Sequence, residues 1–198
     1  NGGPGFNSEY GLNQTFYETD FEDNTGVGLY MHGANFNLIR NVEFADNEGG
    51  ITLASSSNQN EIVECAAYGN ENHGYRFASG STSNYLNSSN AWSNEYALVF
   101  VDSSHNNTVK YGWYEGDEKK VLFTGTPSTG IVLHEVSFDA DDLSINTGSE
   151  LLIKKSLHVK VTDNGTSDSW KIYDNQSDEN REAYSGTHAM WLGDPDKN

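Results

Sequence analysis

A repeat of about 23 residues constrains this chain more than any other feature of its sequence. The segments 37–58 and 60–84 align along their whole length, and the alignment extends in both directions. One polar column reads Asn13, Asn37, Asn60, Asn84, Asn107 and Gly130. Two apolar columns lie two residues apart, the first with Val27, Ile51, Tyr75, Leu98 and Val121, the second with Leu29, Leu53, Phe77, Phe100 and Phe123. A further apolar column reads Ile39, Ile62, Leu86, Val109 and Val132.

Apolar columns two residues apart indicate strands with one buried face. Each repeat holds about three such strands, separated by turns rich in Ser, Asn and Gly. A unit of this kind cannot bury its apolar side alone, so the repeats must stack in parallel, with each coil adding about 4.8 Å. The sequence therefore predicts an all-β parallel β-helix, or solenoid, of five to six coils over residues 1–145.

The pattern N-x-I-x-x-N-x-x-x-x-N-x-x-G-I-x-L-x-x-S-S-N, carried by residues 37–58, resembles the repeats of pectate-lyase-like β-helices. These are also called carbohydrate-binding and sugar-hydrolysis repeats of archaeal and bacterial surface proteins. The resemblance covers roughly residues 11–140 and implies a right-handed helix. The family includes lyases, hydrolases, epimerases and surface scaffolds, so the resemblance specifies the fold and leaves the activity open.

The repeat pattern changes after Leu143, and we assign residues 146–198 to a separate tail. Within the segment 149–166, apolar and polar residues alternate from Leu157 to Val161, which is typical of an edge strand or the start of a β-sandwich. We expect the tail to be a β-rich cap, a partial sandwich or a strand donated to a neighbour. Val99 and Leu122 point outward beside each other, so either residues 151–161 or a neighbouring molecule should cover them.

Composition limits the partners of the chain. The net charge is −18 and the sequence pI is about 4.4, which disfavours nucleic acid as a partner. No apolar run is long enough to span a membrane. The single Cys65 excludes an internal disulfide, and its place in the repeat predicts a small buried side chain. Five N-x-S/T sequons favour an extracellular glycoprotein and begin at Asn13, Asn87, Asn106, Asn164 and Asn175.

Three aromatic residues form the strongest candidate binding site. Tyr68, Trp92 and Trp113 occupy outward positions of the second strand in successive coils, where they should crowd one outer face. Sugar rings stack on exposed aromatic rings, and the rise per coil is close to the length of one sugar unit. We therefore assign these residues to glycan contact, with coverage by the tail or another subunit as the alternative.

Weaker candidates exist for catalysis and for metal binding. Arg76 is the best candidate base for lyase chemistry, and Glu43 and Glu64 are nearby acids, although Thr52 and Val99 flank Arg76 in its column. No cofactor is required by the sequence. Calcium is the only one that it offers, because Asp194, Asp196 and Asn198 have the spacing that starts a calcium loop.

The leading functional hypothesis is an extracellular or cell-surface structural or adhesive module that contacts or carries glycans. Unpaired strand edges at the ends of a β-helix also favour homo-oligomers or filaments. The alternative is a polysaccharide-degrading enzyme, either a lyase, a hydrolase or a protein of the disaggregatase class. An enzyme should show a groove with converging acids, whereas a scaffold should show apolar faces.

Overall fold

The computed structural model describes residues 3–137 and 143–154. Across these ranges every regular element is a strand and every strand pair is parallel. The chain divides into two units, residues 1–156 and 157–198, and all described residues belong to the first. Within the described ranges no helix is long and apolar enough to cross a membrane.

In the described ranges seventeen strands form three rows, and the long strand β12 takes part in two of them. The long row contains β1 (Phe6–Glu9), β4 (Val27–His32), β7 (Gly49–Ala54), β10 (His73–Phe77), β12 (Asn90–Val101), β14 (Tyr114–Thr124) and β16 (Leu143–Ser144). The short row contains β3 (Asp20–Glu22), β6 (Glu43–Ala45) and β9 (Ala66–Tyr68) and joins the long row through β12, giving a ten-stranded sheet. The seven-stranded sheet contains β2 (Thr15–Tyr17), β5 (Leu38–Arg40), β8 (Glu61–Val63), β11 (Tyr85–Asn87), β13 (Thr108–Lys110), β15 (Ile131–His134) and β17 (Leu151–Lys154).

The core lies between the rows and consists of stacked apolar columns, as the repeat predicts. The core residues expected at the centre of the repeat are all fully buried: Ile51, Leu53, Ile62, Tyr75, Phe77, Leu86, Leu98, Phe100 and Val109. The rings of Phe77 and Phe100 stack with centroids 5.1 Å apart. Cys65 is also buried, beside its column neighbour Val42. The fold class is therefore a parallel β-helix of about six turns.

The predicted register is wrong in the long strand of the second coil. Leu29 lies opposite Ile51, and Met31 lies opposite Leu53. Val27 lies opposite Gly49 and does not enter the apolar column. The step between these two coils is 22 residues in the long row, because the turns after β4 and before β7 are each one residue shorter than the matching turns of the next coil. A constant step of 24 therefore misplaces both residues.

Two further columns are displaced by one residue at their ends. At the start of the asparagine column, the position predicted for Asn13 is occupied by Gln14, whose backbone NH donates to the side-chain oxygen of Asn37. Gly130 is a left-handed corner residue, as are Asn13 and Asn106. Leu133, and not Val132, faces Val109 in the core. Asn and Gly both tolerate a left-handed backbone, so a corner residue is easily mistaken for its neighbour in the column.

Two asparagine ladders hold the turns together. In the first, Asn37, Asn60, Asn84 and Asn107 are buried, and each side-chain oxygen accepts hydrogen bonds from the previous coil. In the second, Asn24, Asn47, Asn70 and Asn94 repeat the arrangement between the short and long rows. The asparagine columns are thus structural, since buried amides satisfy backbone groups that the turns leave without partners.

A serine ladder that was not predicted from the sequence supports the turn after the long row. The hydroxyl of Ser57 accepts from the NH of Ala34, and Ser128 accepts from Ser104 in the same way. Ser57 and Ser81 also donate to the carbonyl groups of Ala54 and Ala78. Period alone could have revealed this column, because Ser57, Ser81, Ser104, Ser128 and Ser149 are 21 to 24 residues apart.

The long row is apolar on its outer face as well. Val99 and Leu122 lie opposite each other, and Val99 packs in a buried cluster with Ala54, Ala78 and Val101. The segment Leu151–Lys154, expected as a cover for this face, instead pairs with β15 and extends the seven-stranded sheet. Parallel pairing therefore continues past the expected domain boundary at residue 145. Residues 155–161 lie outside the described residues.

Candidate glycan-binding face

Three aromatic rings form a ladder on the outer side of the short row. Tyr68 and Trp92 occupy the same column, and their rings stack at 4.7 Å with 7° between the planes. Trp113 lies one column to the side and stacks on Trp92 at 6.1 Å and 27°. The structure therefore brings together the three residues that the sequence proposes for glycan contact.

The stacking decides which ring can receive a ligand. Both faces of Trp92 are directed at aromatic neighbours, and Tyr68 packs one face on Trp92. Trp113 is the most accessible ring of the three, at 47% exposure. Opposite Trp113 in the next coil stands Ser137, which is small and exposed. Of the three rings, Trp113 therefore has the largest surface open to solvent, while the other two rings pack against aromatic neighbours.

An acidic groove opens beside the ladder. It has a volume of about 340 Å³ and is lined by Glu18, Asp20, Asn41, Val42, Glu43, Glu64 and Ala66. Asp20, Glu43 and Ala66 form one outward column, and Glu18, Asn41 and Glu64 form the neighbouring corner column. Carboxylates line the walls, and the small apolar side chains of Val42 and Ala66 complete the lining.

Two hydrogen-bonded pairs orient two of the four carboxylates of this groove, Glu43 and Glu64. The hydroxyl of Tyr68 donates to Glu43 at 2.8 Å. Arg40 donates to one oxygen of Glu64 through Nε at 3.1 Å and Nη2 at 2.9 Å. The Arg40–Glu64 pair is about half exposed, so it orients the carboxylate and adds little to stability.

Left-handed residues set the direction of the corner column. Glu18, Asn41 and Glu64 have φ of 47°, 51° and 55°. A left-handed residue turns the chain sharply between the strand of the seven-stranded sheet and the short row. Such a backbone costs roughly 1–2 kcal/mol for an ordinary residue. Hydrogen bonds between coils offset this cost, for example from the NH of Glu64 to the carbonyl of Asn87.

The electrostatics of the site follow from these contacts. The hydrogen bond to Glu43, together with partial burial, raises the pKa of Tyr68 to about 12, so its hydroxyl remains a donor at neutral pH. Burial raises the pKa of the Cys65 thiol to about 11. That value keeps the sulfur protonated, in agreement with a core role and against a nucleophile.

The residues proposed for catalysis do not meet in one place. Glu43 and Glu64 line the acidic groove, but Arg76 lies on the long row between Thr52 and Val99 and is absent from the groove lining. Burial lowers the pKa of the neighbouring His73 to about 3, and its Nε2 lies 2.8 Å from the hydroxyl of Thr52. The surroundings of Arg76 are thus largely uncharged.

The expected metal and glycosylation sites are only partly visible. Asp194, Asp196 and Asn198 lie outside the described residues, as do Asn164 and Asn175. Over residues 3–137 and 143–154, no group of three His, Cys, Asp or Glu side chains is arranged to hold a metal ion. Of the remaining sequons, Asn13 and Asn106 are exposed at left-handed corners, and Asn87 is half-buried in β11.

A second acidic groove was not anticipated from the sequence. It has a volume of about 270 Å³ and is lined by Asp23, Asn24, Thr25, Asp46, Asn47, Glu48 and Glu71. Its carboxylates flank the second asparagine ladder in successive coils. We call Asp23, Asp46, Glu48 and Glu71 the acidic corner. The repeat could have revealed it, because acids recur on both sides of the ladder asparagines.

Coils of parallel strands, internal asparagine ladders and stacked core columns define the class of β-helix proteins. The sequence profile described as "Right handed beta helix region" matches residues 1–112, which is more than half of the chain. The chain therefore belongs to the right-handed β-helix family. No match was found among curated proteins.

Two solved structures illustrate the likeness. The crystal structure of pectate lyase Pel9A matches with a TM-score of 0.60 at 16% identity, covering 81% of this chain and 49% of that one. A double mutant of the periplasmic alginate epimerase AlgG matches with a TM-score of 0.49 at 12% identity, covering 78% of this chain and 48% of that one. This chain thus spans about half the length of either protein.

Proposed function

We propose that this chain is an extracellular or cell-surface β-helix module that binds uncharged glycan chains, as a structural or adhesive element. The observation that carries the proposal is the half-exposed ring of Trp113 at the end of an aromatic ladder, beside a groove of oriented carboxylates. Aromatic rings recognise the apolar faces of sugars, and carboxylates accept hydrogen bonds from sugar hydroxyls.

The charge of the groove favours uncharged glycans over uronates. Glu18, Asp20, Glu43 and Glu64 all line it, and Arg40, which is bound to Glu64, is the cation beside it. A uronate chain would place further carboxylates against these groups and would be repelled. Pel9A, a pectate lyase, supports glycans as the general class of partner for this fold.

Binding of uncharged and uronate polysaccharides to the whole chain tests this proposal. We expect calorimetry or affinity electrophoresis to detect an uncharged glycan, and Trp113→Ala to weaken its binding about tenfold or more. Phe36→Ala is the matched control, since Phe36 is 52% exposed at the turn between the long row and the seven-stranded sheet. Absence of binding to every glycan, or equal binding by Trp113→Ala and Phe36→Ala, would refute the proposal.

A polysaccharide-degrading enzyme is the second candidate, favoured by the paired acids Glu43 and Glu64 in one groove. Hydrolysis of glycosides usually employs two carboxylates on either side of the scissile bond. Release of new reducing ends from a bound polysaccharide, abolished by Glu43→Gln or Glu64→Gln, would favour this candidate. Binding without any cleavage would leave the module as a structural or adhesive one.

A further inference from the structure

Basic side chains stand in line on the outer face of the seven-stranded sheet. Lys110 lies opposite His134, and His134 lies opposite Lys154, in three successive strands. We call these three residues the basic column. Because neighbouring strands lie about 4.8 Å apart, the basic groups repeat at that spacing along the stack of coils.

The basic column is set in a partly apolar surface. The Lys110 Nζ lies 4.7 Å from the ring centroid of Tyr111, and the Tyr111 ring lies 5.8 Å from that of His134. Tyr111 is 50% exposed, and Leu152, next to the column on β17, is 46% exposed. Exposed aromatic side chains such as that of Tyr111 are enriched at protein–protein contact surfaces.

Like charges in one column of a sheet repel each other, and Lys110 and Lys154 lie two strands apart with His134 between them. Glu135 lies beside the basic column, with its Oε1 3.9 Å from His134 Nε2. Lys154 is exposed, and the next side chain in its column is His134. A surface that supplies additional carboxylates would therefore stabilise the column.

The acidic corner has the complementary pattern. Asp23 and Asp46 precede, and Glu48 and Glu71 follow, asparagines of the second ladder, so each pair occupies equivalent positions in successive coils. Their carboxylates thus repeat at the same spacing as the basic column. All four are exposed and line one groove. Here too, like charges on adjacent coils would be stabilised by groups of opposite sign.

We propose that the basic column of one molecule binds the acidic corner of a second copy, with the two coil stacks side by side. The equal spacing allows the two lysines of the basic column to face carboxylates of the acidic corner. The contact joins two different surfaces of the same chain, so it propagates into open arrays unless a rotation closes the ring. The residues involved are distinct from Trp113 and from the acidic groove, so the contact goes beyond glycan binding.

The net charge determines how this association depends on salt. Two copies carrying −18 each repel one another at low ionic strength. At physiological salt the screening length is about 8 Å, so distant charges are screened while contacting pairs are screened less. Association should therefore be strongest at intermediate salt and weaker at both extremes.

Sedimentation velocity of the whole chain, over a range of protein and salt concentrations, tests this contact. We expect Lys110→Glu with Lys154→Glu to raise the dissociation constant about tenfold or more. The control double variant, Lys119→Glu with Lys120→Glu, makes the same change in net charge elsewhere and should associate as wild type does.

A charge-swap experiment identifies the partner surface. Glu48→Lys with Glu71→Lys should also lose self-association, and a mixture of this protein with the Lys110→Glu, Lys154→Glu protein should associate again. A monomer under every condition, retention of association in Lys110→Glu, Lys154→Glu, or absence of mixed association would each overturn the proposal. Glycan binding, measured on the same proteins, would be unaffected by these outcomes.

Discussion

The hydroxyl of Tyr68 donates a 2.8 Å hydrogen bond to the Glu43 carboxylate of the preceding coil, while its ring stacks on Trp92 of the next. One side chain thus joins three coils on the outside of the helix. It also connects the acidic groove to the aromatic ladder, which are the two parts of the proposed glycan site. A change in this contact should therefore be visible in alkaline titration and in glycan binding.

The first prediction concerns pH. The pKa of Tyr68 is raised from 10.0 to about 12, so its hydrogen bond stabilises the fold fully below pH 10 and is lost as the pH rises to 12. Tyr68→Phe keeps the stacked ring and removes the titrating group. We expect a spectrophotometric titration of this variant to lose one tyrosine that ionises near pH 12. An unchanged titration curve would contradict the assignment.

The second prediction concerns the first asparagine ladder. Asn60 accepts from the NH of Asn37 at 3.0 Å and donates to the carbonyl of Ala34 at 2.8 Å. Asn60→Ala leaves both buried groups without partners and should lower the free energy of unfolding by roughly 2–5 kcal/mol. Asn72→Ala, at an exposed position, should change it by less than about 0.5 kcal/mol. Denaturation in urea measures the free energy of unfolding of both variants. A similar decrease in the two would argue against the ladder as a source of stability.

The third prediction concerns the core. Phe77 is fully buried, lies opposite Leu53, and stacks on Phe100. Phe77→Ala should cost roughly 3–5 kcal/mol, because it removes apolar contacts and leaves a cavity in a continuous column. Phe36→Ala, at a half-exposed corner, should cost far less. Thermal and urea unfolding of the two variants provide the comparison, and a mild effect of Phe77→Ala would mean that the column can collapse around the gap.

The repeat makes much of this fold readable from the sequence. Ile51, Leu53, Tyr75 and Phe77 could be placed correctly because the central coils have nearly constant length. Leu29 could not, since the turns after β4 and before β7 are each one residue shorter and together shift the pairing by two residues. The predicted ladder position of Asn13 was wrong for another reason. An asparagine suits both a ladder position and a left-handed corner, and Asn13 occupies a corner.

The candidate site was only partly readable. Sequence columns place Tyr68, Trp92 and Trp113 on one face, but they do not specify ring orientation. The rings turn out to stack on one another, which leaves Trp113 as the most exposed of the three. The acidic groove was also hidden, because its carboxylates come from a strand column and a corner column that converge only when the chain turns at Glu18, Asn41 and Glu64.

The fourth prediction concerns Cys65. Its sulfur is buried, donates to the carbonyl of Val63 at 3.3 Å, and has a pKa raised to about 11. Since the thiolate is the reactive species, a thiol–disulfide exchange reagent at neutral pH should label the native protein very slowly. Labelling should become rapid in denaturant. Fast labelling of the folded protein would show that this part of the core opens readily.

The last prediction compares two buried tyrosines. The hydroxyl of Tyr75 donates to the carbonyl of Asn90 at 3.1 Å, whereas the buried hydroxyl of Tyr114 has no hydrogen-bond partner within the described part of the chain. Tyr75→Phe removes a hydrogen bond and should destabilise by roughly 0.5–1.5 kcal/mol. Tyr114→Phe removes an unsatisfied polar group and should leave stability unchanged or raise it by about 1 kcal/mol. Urea denaturation of the two variants measures both changes in the free energy of unfolding, and a loss of stability in Tyr114→Phe would contradict the view that its hydroxyl is unsatisfied.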